Sequence, residues 1–323
     1  MKRCTATVLA LVVSMLCALA PAAAQEWPSK PVRIIVPFGA GSTPDVVARL
    51  VADGLQKQTG QTFIVENKPG ASGNTGTDAV AKAAPDGATI GLSIGGPLAI
   101  NTLLFANLPY DPKKDISYIT MLVTQPSALA INASLNVNSV PELVELLRKN
   151  PGKYNFGSIG TGSLSHLAME AIALKSGTKL VHVPYASSPQ AVTALMRNEV
   201  QMVCLPAISI TPQLNSGAIK LLAISTAQRS VLLPGVPTLK ESGIDVEADA
   251  WNGLIGPARL PEAMIERINH LVREAITSPT VRQKLSAQLM EPIPDTPADF
   301  RARVDAEITR WKPVIDAAKI QLK

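Results

Sequence analysis

Short apolar runs alternate with amphipathic stretches from residue 32 onward. Residues 32–37 have the β-branched, uniformly apolar character of a buried strand, and residues 44–59 place apolar side chains at helical spacing. Further strands are predicted at residues 63–66 and 89–93. This β-α-β order predicts a parallel sheet with helices on both faces.

A second series with the same rhythm starts near residue 128. Helices are predicted at Val140–Lys149, Leu164–Ser176 and 189–197, and apolar runs of strand length separate them. The chain is therefore predicted to contain two similar α/β halves. The predicted strands of the second half lie at residues 128–132, 154–158, 180–183, 201–205 and 220–225.

The last quarter of the chain changes character. Residues 227–249 are rich in proline, glycine and charge, whereas residues 250–256 again have the pattern of a strand. Long helices are then predicted at residues 261–277 and at Pro297–Ala318. Thr296 is the expected cap of the last helix, because the proline that follows it suits the first helical position.

The N-terminus has the three parts of a secretory signal peptide. Lys2 and Arg3 precede an apolar run from residue 8 to residue 20, and an Ala-x-Ala site follows. This run is shorter than the roughly 20 residues of a membrane span. We expect residues 1–24 to be removed by cleavage after Ala24, and a soluble product in the periplasm.

Composition after cleavage excludes several classes of function. Cys204 is then the only cysteine, so no intramolecular disulfide can form, and its apolar neighbours predict a buried, inert thiol. Loss of Lys2 and Arg3 leaves 28 basic side chains against 25 acidic ones, and they are scattered along the chain. Without a basic stripe, no nucleic-acid partner is expected. Aromatic residues make up only 4% of the chain, which disfavours a sugar site built on stacked rings.

A glycine-containing connection between the first strand and the first helix carries the most information. Residues 37–45, here called the first turn, have the sequence PFGAGSTPD, with Thr43 as the expected cap and Pro44 at the first helical position. The first N–H groups of such a helix have no partner within the helix and lie at its positive end. The first turn therefore predicts an anion site.

A second connection of the same kind lies in the other half. Residues 156–163, here called the second turn, have the sequence FGSIGTGS and lead into a helix that carries His166. Ser163 is the expected cap, and Ser158 and Thr161 can present hydroxyls to the same space. Ligands of open α/β sheets bind beyond the carboxyl ends of the strands, where both turns fall. Each half is thus expected to hold one end of a ligand.

Both turns partly match nucleotide-binding motifs. The first turn begins like G-x-G-x-x-G and Glu66 has the place of a ribose-binding acid, but Pro44 replaces the third glycine. The second turn fits G-x-x-x-x-G, but Ser163 stands where a P-loop requires lysine. We therefore expect neither a dehydrogenase nor an NTPase, and no cofactor.

Catalytic signals are equally weak. No G-x-S-x-G elbow is present, and the three histidines show no recognisable metal spacing. His182 is expected to be a satisfied strand histidine, and His270 a solvated one. His166 follows the second turn by one helical turn, and both ligand contact and structural capping are open to it. An exported enzyme on a two-lobed fold would have His166 as its one candidate catalytic residue.

At these residues the chain resembles the Bug-type receptors of the tripartite tricarboxylate transporter family. The resemblance covers nearly the whole mature chain. Its motifs are WPSKPVRIIVPF at 27–38, VENKPGASGNTG at 65–76, APDG at 84–87, NPGKYNFGS at 150–158, VPY at 183–185 and PTLKESG at 237–243.

The resemblance implies an α/β type II periplasmic-binding-protein fold, with two lobes, a hinge and a ligand cleft. Lobe 1 would comprise residues 25–124 and 250–323, and lobe 2 residues 125–249. Few or no charged side chains are expected in the pocket. The ligand-binding residues that the resemblance implies are Phe38, Gly39, Ser42 and Thr43 in lobe 1, and Ser158, Thr161, Gly162, Ser163, His166 and Tyr185 in lobe 2.

The implied function is that of a receptor for a small carboxylate, which could be an amino acid, an aromatic acid or a dicarboxylate. It would act as a monomer and deliver this ligand to inner-membrane permease subunits, although presentation to a sensor kinase would use the same site. Members usually carry Gly-Gly in the first turn and a basic residue after VPY. This chain has Ala40-Gly41-Ser42 and Ala186-Ser187 there, which leaves open a ligand different from the familiar ones.

Overall fold

A computed structural model describes residues 27–322 of the protein. The expected signal peptide and its cleavage site after Ala24 lie outside these residues. Within residues 27–322 the strands form one six-stranded and one five-stranded sheet. In chain order they are β1 (Val32–Val36), β2 (Phe63–Asn67), β3 (Thr89–Ile94), β4 (Ile116–Gln125), β5 (Ser127–Asn132), β6 (Asn155–Ser158), β7 (Val181–Pro184), β8 (Met202–Pro206), β9 (Ile219–Ile224), β10 (Ala250–Pro257) and β11 (Glu291–Pro292).

The first sheet has the strand order β11-β4-β10-β3-β1-β2. β1 pairs in parallel with β2 and β3, as the β-α-β pattern predicts, but β10 is antiparallel to both β3 and β4. The prediction of a parallel sheet is therefore wrong for the later strands. The chain leaves this sheet at Gln125 and returns at Ala250, and these two residues pair with each other. A strand that returns at the point of departure must run in the opposite direction.

The second sheet is also mixed and has the strand order β7-β6-β8-β5-β9. β6 is parallel to β7 and β8, whereas β5 is antiparallel to β8 and β9. One residue, Pro126, separates β4 of the first sheet from β5 of the second. We call Pro126 the first crossing between the sheets. The second crossing lies where the chain returns to the first sheet at Ala250, which pairs with Gln125 beside the first crossing. Two adjacent crossings form the hinge between two α/β halves.

The α-helices between residues 27 and 322 are α1 (Thr43–Thr59), α2 (Asn74–Ala81), α3 (Asn101–Leu104), α4 (Val140–Lys149), α5 (Leu164–Ser176), α6 (Ser188–Met196), α7 (Ala207–Ile210), α8 (Glu262–Thr277), α9 (Pro279–Ser286) and α10 (Pro297–Ala318). The six predicted helices begin and end within one residue of their predicted limits, and the sequence pattern does not predict the other four, α2, α3, α7 and α9. Thr296 caps α10 as predicted, since its hydroxyl accepts the N–H of Asp299 at 3.1 Å. The predicted cap of α1 is wrong by one residue, because Ser42 and not Thr43 holds the cap conformation. No helix between residues 27 and 322 has both the length and the apolar character required to cross a bilayer.

Helix α10 joins the two halves. Its first part places Phe300 and Val304 in a core with Trp251 of β10. Its last part places Trp311 and Val314 in the core of the second half. Burial of each such side chain contributes about 1.5–3 kcal/mol, so both ends of the helix are firmly held. The C-terminal segment therefore contributes side chains to the cores of both halves.

Candidate functional site

A cavity of about 410 Å³ lies between the two halves. Residues within two positions of the ends of three strands line it: Phe38 after β1, Gly95 after β3 and Ile159 after β6. Both crossings also contribute, through Gln125 and Ala250. The cavity thus lies at the carboxyl ends of the strands, where the sequence places both turns.

The first turn is fixed by a buried carboxylate. Gly41 has a left-handed backbone (φ +79°), and its N–H donates to Oδ2 of Asp45 at 2.9 Å. Arg49 donates to both oxygens of Asp45, and Asn67 Nδ2 donates to Oδ1 at 2.9 Å. Burial opposes ionisation, but the hydrogen bonds from Arg49, Gly41 and Asn67 together hold the pKa of Asp45 below its ordinary value. Asn67 also donates to the carbonyl of Phe38, which ties the turn to β2.

The second turn has nearly the same backbone geometry. Gly162 has φ +78°, and its N–H donates to Nδ1 of His166 at 3.1 Å. Ser163 and Ser42, the two cap residues, have φ/ψ of −67°/159° and −68°/159°. The Ser163 hydroxyl accepts the N–H of His166 at 3.3 Å, so Ser163 is the cap that the sequence predicts. The two halves therefore present matching helix N-termini to one cavity.

Half of the predicted site residues line this cavity. They are Phe38 and Thr43 of the first turn and Thr161, Gly162 and Ser163 of the second. The structure thus brings the two turns together across the cavity, as an anion held at both ends requires.

Ser158 and His166 lie behind the cavity lining and not on it. Ser158 is fully buried, and its Oγ is 2.6 Å from Nε2 of His182. His166 is 4% exposed, and its ring stacks on His182 with centroids 3.7 Å apart. Both side chains are occupied by contacts within the second half. In this structure both side chains thus support the second turn, and their direct contact with a ligand stays a prediction.

Gly39, Ser42 and Tyr185 also lie off the lining. Gly39 is exposed, and its carbonyl accepts the N–H of Ser42 at 3.2 Å. The Ser42 hydroxyl is buried and finds no hydrogen-bond partner among the described residues. Tyr185 packs against the core that contains Val200, and its N–H donates to the Ser158 carbonyl at 2.9 Å. Tyr185 is thus tied to the base of the second turn, and its partly buried ring packs against the core of the second half.

Sequence reasoning missed the charged part of the lining. Asp249 and Glu307 reach the cavity, and Arg303 pairs with both of them. Trp251 and Trp311 each donate an indole N–H to the Glu307 carboxylate at 3.0 Å. Burial raises the pKa of Glu307, against the opposing effect of Arg303.

Asp249 and Glu307 are the charged residues of this lining, and they do not act as free charges. Arg303 also pairs with Glu247, and Arg310 pairs with both Glu247 and Glu307. Residues 247–249 and 303–310 are more than 50 positions apart in sequence. Only the docking of α10 on the second crossing brings them together, and no local motif signals it.

The remaining lining is largely apolar. Ile94, Ile100, Ile159, Leu164 and Leu322 contribute hydrocarbon, and Asn101 and Asn252 add amides. Within residues 27–322, no cluster of three or more His, Cys, Asp or Glu side chains could hold a metal ion. The cavity can therefore stabilise an anionic group at each turn and an apolar body beside them.

Comparisons with known proteins give the family of this chain. The family model described as "tripartite tricarboxylate transporter family receptor" matches residues 47–320. Protein BugT of Bordetella pertussis is 33% identical over 306 residues, which is 94% of this chain and 94% of BugT.

Two solved structures are similar over most of their length. The structure of R. palustris Rpa4515 with adipate is 32% identical, with a TM-score of 0.78 over 92% of this chain and 99% of that one. MatC from Rhodopseudomonas palustris with bound malate is 28% identical, with a TM-score of 0.73 over 90% and 100%. The two-lobed type II fold and the Bug-type resemblance are confirmed. The chain belongs to the tripartite tricarboxylate transporter receptor family, and it is a solute-binding receptor and not an enzyme.

Proposed function

We propose that this protein captures a small carboxylate between its lobes and delivers it to the permease subunits of a tripartite tricarboxylate transporter. The observation that carries the proposal is the pair of matching helix N-termini, with Ser42 and Ser163 at their cap positions, that face one cavity. Backbone N–H groups and the positive ends of two helices suit an anionic ligand. The relatives with adipate and with malate support the carboxylate class.

The two helix N-termini alone do not supply the free energy of binding that micromolar affinity requires. A carboxylate at a helix N-terminus is stabilised by about 0.3–2 kcal/mol, whereas micromolar affinity needs about 8 kcal/mol. The hydroxyls of Thr43 and Thr161 and the apolar lining supply further contacts. The volume of about 410 Å³ lies within the common range of small-molecule pockets, about 300–1,000 Å³. An amino acid, an aromatic acid or a dicarboxylate therefore fits.

Lobe closure couples binding to delivery. We assign residues 25–124 and 250–323 to lobe 1 and residues 125–249 to lobe 2, with Pro126 at the first crossing. A ligand that touches both turns favours the closed form, because only that form offers both sets of contacts at once. The closed receptor is the form that docks on the permease.

Export supports the same role. Residues 1–24 have the pattern of a cleaved signal peptide, and the family consists of transporter receptors. The mature protein then starts at residue 25 and acts in the periplasm as a monomer that moves between ligand and permease.

The test uses the mature protein, residues 25–323. Denaturing mass spectrometry identifies any co-purified small molecule, and calorimetric titration follows with adipate, malate, glutamate and nicotinate, with maltose as a neutral control. The proposal predicts that at least one carboxylate is released or binds with micromolar or better affinity, while maltose does not bind. Release or binding of a neutral molecule alone would overturn it.

A further inference from the structure

The acceptor side chain behind each turn occupies the same position in both halves. The N–H of Gly41 donates to Asp45, and the N–H of Gly162 donates to His166, in each case four residues further on. Both glycines have φ near +78°, and both acceptors lie at the third helical position after a serine cap. An oxygen of a short side chain therefore reaches the glycine N–H in this geometry, as Asp45 does at 2.9 Å.

The bond to His166 fixes a peptide plane of the cavity wall. The N–H of Gly162 belongs to the peptide that joins Thr161 to Gly162, and both residues line the cavity. A Cβ at Gly162 would lie 2.7 Å from the side chain of Leu104 and 3.1 Å from that of Leu322. The turn is thus packed closely on the side of lobe 1, and the acceptor behind it sets its orientation.

The His166 ring is itself held in place. It stacks on His182 at 3.7 Å with an interplanar angle of 13°, and Phe156 stacks on both rings. Since Nδ1 accepts the backbone N–H, the ring proton must be on Nε2, which lies 3.6 Å from the Glu170 carboxylate.

The partner ring holds a second point of the same turn. Nε2 of His182 bonds to the Ser158 hydroxyl, which in turn accepts the N–H of Gly160 at 3.1 Å. The stacked pair therefore holds Gly160 through His182 and Gly162 through His166. These glycines lie on either side of Thr161, which lines the cavity.

From this arrangement we infer that His166 is a positioning residue for ligand binding, which holds the second turn in its anion-binding shape through Nδ1. The inference rests on the proposed function, because it names the regulation of affinity at that site. It assigns His166 no ligand contact. Asp45 holds the first turn in the corresponding way, by accepting the N–H of Gly41.

The binding test compares three variants by calorimetric titration with adipate, malate, glutamate and nicotinate. His166→Ala removes the acceptor, and we expect the affinity to fall about 10- to 100-fold below that of the wild type, because the part-buried N–H of Gly162 loses the bond that holds the turn in its binding shape. His166→Asn restores an acceptor oxygen at the position from which Asp45 reaches the N–H of Gly41 in the first turn. This variant should therefore recover most of the affinity that His166→Ala loses. His270→Ala, at an exposed histidine on α8, is the matched control and should bind like the wild type. Equal affinity of His166→Ala and the wild type would overturn the inference.

A readout without ligand separates this inference from the proposed function. Imidazole ¹⁵N NMR of the wild-type protein should show His166 with an unprotonated Nδ1 and a protonated Nε2. Amide hydrogen exchange at Gly162 should be slow in the wild type and in His166→Asn, and fast in His166→Ala. The opposite tautomer, or unchanged exchange at Gly162 in His166→Ala, would overturn the inference even if no probe bound. Failure of every probe to bind a wild type with the expected NMR signature would count against the proposed function alone.

Discussion

Replacement of Ser163 by aspartate tests the electrostatics of the second turn. Aspartate caps a helix about as well as serine, so the helix should persist while a negative charge enters the cavity wall. Two unit charges about 5 Å apart repel by about 3 kcal/mol at an effective dielectric constant of about 20. Since about 1.4 kcal/mol corresponds to a tenfold change, Ser163→Asp should raise the Kd for a carboxylate by about 100-fold.

Two controls isolate the charge. Ser163→Asn keeps a capping side chain without a charge and should raise the Kd much less. Ser139→Asp places the same charge at the cap of α4, away from the cavity lining, and should leave binding unchanged. The assay is calorimetric titration at pH 7.5 in about 0.15 M salt, where the screening length of about 8 Å exceeds the assumed separation. A Kd for Ser163→Asp within about twofold of the wild type would refute an anion at the second turn.

Three further predictions concern stability and reactivity. A Cβ at Gly253 would overlap the ring of Phe300, so Gly253→Ala should lower the free energy of unfolding, measured by urea titration, by about 1–3 kcal/mol. Gly235 has open space where its Cβ would lie, so Gly235→Ala is the control and should have little effect. Burial, together with the neighbouring imidazole of the stacked pair, lowers the pKa of His182 to about 4, so the unfolded chain binds this proton more readily. The stability that His182 contributes is present above pH 6.5 and is lost as the pH falls towards about 4. The urea midpoint of the wild type should therefore fall more over that pH range than the midpoint of a His182→Gln variant. Burial raises the pKa of the Cys204 thiol to about 12, so Ellman's reagent at pH 8 should label the native mature protein far more slowly than the urea-unfolded one, and equal rates would contradict its burial.

Local sequence signals account for much of the fold. The bounds of α4, α5 and α10 match the structure, because caps and helical periodicity lie within the segments themselves. These signals do not predict the direction of a strand where that direction depends on residues far away in the sequence. The antiparallel course of β10 follows from its return beside Gln125, and the sequence pattern does not single out β4.

The sequence likewise predicts only part of the candidate site. Thr43, Thr161 and Ser163 are visible in the sequence because they belong to strand-to-helix turns. The role of His166 is not, since it depends on the stacking of its ring on His182 from another element. The acidic part of the lining also depends on contacts between α10 and the second crossing, which no local pattern encodes.

The most direct test of the central claim is a crystal structure of the mature protein with a bound carboxylate from the titration panel. We expect carboxylate density inside the cavity, with oxygens against the N-terminus of α1 beside Thr43 or that of α5 beside Ser163, and contacts to both lobes. A carboxylate bound outside this cavity, or one held within it by Arg303 and not by a helix N-terminus, would contradict the account.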